Sequence, residues 1–151
     1  MIGFDIKRVF FDRAAVRNKT DKATRRVLSK FGAFVRQTAK RSIRKRKRAS
    51  RPGQPPSSHT GLLKRFIFFG FDVARRSVVI GPVRLTQKTG DVPHVLEYGG
   101  TVRPLSRLSA AQRRARRPSS AATRRRPRPF MGPAMEKEKH QLPALWRNSV
   151  K

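Results

Sequence analysis

The chain has 151 residues, and its 38 Lys and Arg outnumber 8 Asp and Glu to give a formal net charge of +30. Such a length suits one domain, and 36% hydrophobic residues is lean for a globular chain. The lack of cysteine excludes disulfides and thiolate metal sites, and no stretch approaches the roughly 18 apolar residues of a membrane span.

Phe4 to Phe11 mixes apolar and charged residues and reads as a short strand or a first helical turn. The stretch Met1 to Arg8 lacks the roughly 7–15-residue apolar run of a signal peptide. The expectation is a soluble protein of the cytoplasm, or one released with a particle assembled there. From Asp21 a helical period is clear: Ala23, Val27, Phe31, Val35 and Ala39 recur every fourth residue. Leu28, Phe34, Thr38 and Ile43 widen the stripe, which predicts an amphipathic helix over 21–44 docked on a core. Thr20 or Asp21 is the expected N-cap, because a side-chain oxygen there accepts an orphan backbone N–H.

The first cationic block is Lys40 to Arg48, including Arg44, Lys45, Arg46, Lys47 and Arg48. It opens a basic, proline-rich linker over 40–60, whose proline-bearing part (49–60) cannot continue a helix. Leu62–Phe71 and Arg76–Ile80 read as two strands joined by a short turn. Phe66, Phe68, Phe69 and Phe71 lack the glycine and aromatic order of an RNA-stacking strand and read as buried strand core. Pro93 to Tyr98 suits one helical turn, stopped by Gly99-Gly100. The stretch 101–129 holds ten Arg and no acid, has no period, and is expected to be a long extended or mobile loop. Within it lie Arg113, Arg114, Arg116, Arg117, Arg124, Arg125 and Arg126. A last helix is expected over 134–142, with Glu136 and Glu138 in its first turns, where the helix dipole favours negative charge. The whole predicts an α+β fold in a single domain, 1–151.

Little in the sequence signals chemistry. His59, His94 and His140 have no metal-ligand spacing. The acids form no catalytic pair, and neither a phosphate-binding glycine loop nor a nucleophile elbow is present. No catalytic residue, cofactor or metal is expected. Glu97, in an apolar and glycine-flanked setting, reads as a surface carboxylate or as the partner of an Arg, on its own chain or a neighbouring subunit. Phe130 and Met131, between prolines, read as core plugs or interface knobs.

Four stretches occur in order: Thr60-Gly61-Leu62-Leu63-Lys64, Val78-Val79-Ile80-Gly81-Pro82, Leu96-Glu97-Tyr98-Gly99-Gly100-Thr101 and Arg128-Pro129-Phe130-Met131-Gly132-Pro133-Ala134-Met135. A basic helix containing Ala39-Lys40-Arg41-Ser42 precedes them. Together, over about residues 10–135, they make the chain resemble the tail-component, or tail-completion, proteins of the neck of long-tailed bacteriophages. The arginine-rich insertion between Thr101 and Pro129 is longer than the corresponding segment of typical members.

The resemblance implies an α+β subunit: a long helix on a small antiparallel sheet, with a second helix near the C-terminus. It implies a non-enzymatic virion protein that forms a six- or twelve-fold ring between head connector and tail. Its partners would be copies of itself, the head connector and the tail terminator or tail tube proteins. Glu97, Tyr98, Phe130 and Met131 would then lie at the subunit interface. The basic segments would meet DNA in the channel or acidic surfaces of neighbouring neck proteins, a solvated loop being the bland alternative. The rival reading is a ribosomal-style protein whose basic extensions thread RNA; overall composition favours it, whereas the ordered motifs favour the neck.

Overall fold

A computed structural model describes residues 12–83, 92–102, 123–147 and 149–150. Phe4–Phe11, expected as strand or helical turn, lies outside these residues. In chain order the elements are α1 (Arg13–Ser42), β1 (Arg44–Lys45), β2 (Ser57–Ser58), α2 (Leu62–Arg65), β3 (Ile67–Asp72), β4 (Ser77–Pro82), α3 (Val92–Tyr98), β5 (Gly100–Val102), β6 (Thr123–Arg125), α4 (Met131–Lys139) and α5 (Leu142–Trp146). The fold is α+β.

Helix α1 starts eight residues before the expected boundary. Its N-cap is Asp12, whose Oδ1 accepts the Ala15 N–H at 2.9 Å. Thr20 and Asp21 do other work. The Thr20 hydroxyl donates to the Val16 carbonyl inside the helix, and Asp21 pairs with Arg76 at 3.3 Å. The apolar stripe falls where its period places it: Ala23, Val27, Phe31, Val35 and Ala39 are all buried.

Strands β3 and β4 form an antiparallel hairpin with Phe69 opposite Ile80 and Phe71 opposite Val78. Its turn is built by Asp72, whose Oδ1 accepts the N–H groups of Ala74 and Arg75. The hairpin runs back along α1. Arg36 Nε donates to the Ile67 carbonyl at 2.8 Å at one end, and Arg76 meets Asp21 at the other. The expected strand over 62–71 is thus split: residues 62–65 form α2, entered through Gly61 at φ 78°. Side chains alternate as the pleat requires. Ile67 is buried and Phe68 exposed, the latter 6.0 Å beneath the Arg36 guanidinium. Phe66, Phe69 and Phe71 are only half-buried. None of the four Phe is the buried core expected, because a two-stranded hairpin covered by α1 on one face alone leaves them partly open.

Between helix and hairpin the packing leaves no room at Gly32. A Cβ there would come within 2.8 Å of Val78 Cγ2 and 3.0 Å of the Phe69 ring. Gly32→Val is therefore expected to destabilise the fold by about 1–3 kcal/mol, although Val is the better helix former, because overpacking outweighs propensity. A thermal melt checks it; an unchanged midpoint would mean that the hairpin is not seated on α1.

Helices α4 and α5 pack on α1 as well. One cluster joins Phe31, Val35, Ala39 and Ile43 of the α1 region to Leu63, Ile67, Phe130 and Ala134. Helix α4 begins three residues before its expected start and has no acid in its first turn. Glu138 sits near its end instead, 7% exposed, accepting from the Thr38 hydroxyl and the Gln141 amide.

Candidate polyanion interface

The first basic block leaves the C-terminal end of α1. Arg44 and Lys45 form a short parallel ladder with Ser57 and Ser58, so the 40–60 segment returns to the body instead of hanging as a free linker. Pro56 and Ser58 are buried, and the Ser58 hydroxyl accepts the Gly61 N–H. Arg44, Lys45, Arg46, Lys47 and Arg48 are all exposed.

The second block is partly a strand. β6 pairs antiparallel with β5, Gly100 opposite Arg125 and Thr101 opposite Arg124. The stretch 101–129, expected to be one long loop, therefore has strand at 101–102 and 123–125. Arg113, Arg114, Arg116 and Arg117 lie outside the described residues. Arg124, Arg125 and Arg126 are exposed around a cleft of about 460 Å³ shared with Tyr98 and Gly99. Gly99 is required there twice over. It adopts φ 81°, and a Cβ would sit 3.1 Å from the Arg125 carbonyl oxygen and 3.2 Å from the Pro127 ring.

The fold joins the two blocks. The Gly53 N–H donates to the Pro127 carbonyl at 2.9 Å, and Arg128 Nε donates to the Ser50 carbonyl at 2.9 Å. Nothing local in the sequence signals this tie, since its partners stand 78 residues apart in the second case.

The acids among the described residues, by contrast, are occupied. Asp12 caps α1, Asp21 holds Arg76, and Asp72 forms its own turn. Glu136 lies 3.8 Å from Lys139, and Glu138 faces Thr38 and Gln141. Glu97 takes neither role expected of it. Its two oxygens accept the backbone N–H groups of Phe130, Met131 and Gly132, at 2.9, 3.1 and 2.7 Å, and so anchor the start of α4. Among the described residues, none of the side chains of Arg44–Arg48 or Arg124–Arg126 has an ion pair or hydrogen bond.

Comparisons with protein-family models, curated proteins and solved structures found no match. Among the described residues no cluster of His, Cys, Asp and Glu could hold a metal, and no helix is long and apolar enough to cross a membrane.

The four residues expected at a subunit interface are placed differently from one another. Tyr98 is 73% exposed, 4.9 Å from the His94 ring. Phe130 is 1% exposed, a plug in its own core. Met131 packs half-buried against the same cluster.

One cation on the helix itself faces like charges. Burial lowers the Lys40 ammonium below the ordinary lysine range, and the like charges of Arg36 and Lys64 add to the effect. The folded state therefore binds this proton less tightly than the unfolded chain. Its protonated form opposes folding below the folded value, and that penalty is lifted as pH rises from there to the ordinary value. Lys40→Gln is expected to raise the melting temperature at neutral pH, and the gain should shrink in high salt as the repulsion is screened. A variant that melts lower would show that the lysine stem packs more than its charge repels.

Proposed function

We propose that this chain is a structural subunit of the neck of a long-tailed bacteriophage, a tail-completion protein that joins the head connector to the tail. It acts by association, not catalysis. What carries the reading is the pairing of the ordered motifs with a division of charge. Each described acid is engaged within the subunit, while two tied clusters of arginine and lysine face outward without a partner. Such a surface calls for a polyanion or an acidic neighbour. The α+β architecture, with a long helix on an antiparallel hairpin and a second helix near the C-terminus, is the one the resemblance implies.

Ring formation has its own support. The outer face of the hairpin exposes Phe68 and Val79, 46% and 63% accessible, and a neighbouring subunit would cover them. Composition favours a second reading, the ribosomal-style RNA binder, because cations outnumber acids throughout the chain. The two are separated by purifying virions and probing them for this protein, and by sizing the purified chain with and without connector protein. Presence in the particle and a ring on mixing are the expected results. A chain absent from virions that stays monomeric and binds RNA would overturn the neck reading in favour of the rival.

A further inference from the structure

The end of α1 and the proline-rich segment enclose a groove of about 400 Å³. Arg41, Arg44, Arg46, Ser50, Gln54 and Ser57 line it, and no acid does. Three features make it more than a charged patch. Arg44 is fixed by the β1–β2 ladder, where it stands opposite Ser57. Ser50 is held from behind, because its carbonyl accepts from Arg128 Nε. The Ser50 hydroxyl oxygen is shielded from solvent and has no hydrogen-bond partner, although native folds seldom leave such a group unsatisfied.

We infer that this groove is a phosphate-binding site, and that the phosphates it takes belong to a nucleic-acid backbone. Guanidinium groups bind oxyanions through paired donors. Three of them lining one groove with hydroxyl and amide donors suit a tetrahedral phosphate, which presents oxygens in several directions, better than a planar carboxylate. Rotation about its side-chain bond is the move by which the Ser50 hydroxyl would reach such a ligand and gain a partner. The negative end of the α1 dipole lies nearby and opposes an anion, but it amounts to about half a charge against three full guanidinium charges. A second groove, of about 510 Å³, shares Arg41, Ser42 and Pro55 with the first and continues to Lys137, with the Glu138 carboxylate, held by Thr38 and Gln141, also in its wall. Lys45, Lys47 and Arg48 stand exposed in the same segment, so more cationic charge is at hand than a single phosphate needs, as a phosphodiester chain requires. This site does not rest on the neck assignment, since a backbone would bind it in either setting.

The test uses the full chain and a fluorescein-labelled 20-base-pair DNA duplex, with anisotropy read over a range of salt. Four proteins are compared: wild type, Ser50→Ala, the triple variant Arg41→Gln/Arg44→Gln/Arg46→Gln, and the charge-matched control Arg124→Gln/Arg125→Gln/Arg126→Gln. The groove triple should weaken binding more than the control triple. It should also flatten the slope of log affinity against log salt by about 2.7, the value for three neutralised phosphates. Ser50→Ala changes no charge. It should weaken binding roughly 10–150-fold, as loss of one hydrogen bond to a charged group does, with an unchanged or higher melting temperature. Equal losses in the two triples, with Ser50→Ala binding as wild type, would reduce the groove to unspecific charge and overturn the proposal. So would binding of inorganic phosphate without binding of duplex. Polyglutamate that displaced the duplex as well as unlabelled duplex does would overturn it too, assigning the groove to an acidic protein.

Discussion

Phe130→Ala is expected to cost about 3–5 kcal/mol, the usual range for removing a fully buried aromatic ring. Phe130 is 1% exposed and belongs to the cluster built by Phe31, Val35, Ala39 and Ile43 on one side and Leu63, Ile67 and Ala134 on others. It is the point where the C-terminal segment enters the core. Its loss leaves a cavity bordered by α1, α2 and β3, elements whose backbone pairing cannot easily collapse to fill it. Domains of this size are stable by about 5–15 kcal/mol, so a large share of the total would go. Urea unfolding should show a lower midpoint with an unchanged slope. Phe130→Leu, which keeps most of the apolar contact, should cost markedly less. A loss below about 1 kcal/mol for the alanine variant would mean that the residue is not the plug its burial indicates.

Where the sequence was informative, the signal was periodic and local. The fourfold spacing from Ala23 to Ala39 named the buried face of α1, and all five residues are buried. The start of that helix was missed for the same reason. Residues 13–20 are exposed and carry no apolar stripe, so the periodic signal begins only at Ala23 and draws the expected cap to Thr20 or Asp21. The hairpin was legible from its runs of Phe, Val and Ile. The single turn of α2 before it was not, because Leu62–Arg65 is too short to show a period.

The candidate interface was legible as composition and illegible as geometry. Arg44–Arg48 and Arg124–Arg126 stand out in the sequence by charge alone. Their joining depends on ladders of two and three residues and on the ties Gly53–Pro127 and Ser50–Arg128. Pairings so short have no pattern of their own and are fixed by the body on which they close. Ser50 carried no signal either: a serine in a proline-rich stretch is unremarkable until its hydroxyl is found buried without a partner.

Glu97→Ala is expected to destabilise the protein by about 2–4 kcal/mol, a large effect for a residue of middling exposure. The cause is the start of α4. A helix leaves its first N–H groups without intrahelical partners, and α4 has no acid in its first turn and no side-chain cap from Phe130. Glu97 supplies both from α3, across 33 to 35 residues of sequence, through contacts to Phe130, Met131 and Gly132. Hydrogen bonds to a charged acceptor are worth about 1.5–3 kcal/mol each. The exposed Gly132 N–H can return to water when the carboxylate goes, so the sum is not reached. Glu97→Gln keeps one acceptor oxygen but loses the charge and turns an amide donor toward N–H groups, so roughly half the loss should remain. The amides of 130–132 should exchange faster in both variants. Because Glu97 also holds the backbone of Phe130, Glu97→Ala combined with Phe130→Ala should cost less than the sum of the two, by at least about 0.5 kcal/mol in a double-mutant cycle. Glu97→Ala unfolding at the wild-type midpoint, with Gln and Ala variants alike, would show that α4 needs no cap and would return Glu97 to the surface role suggested by its sequence.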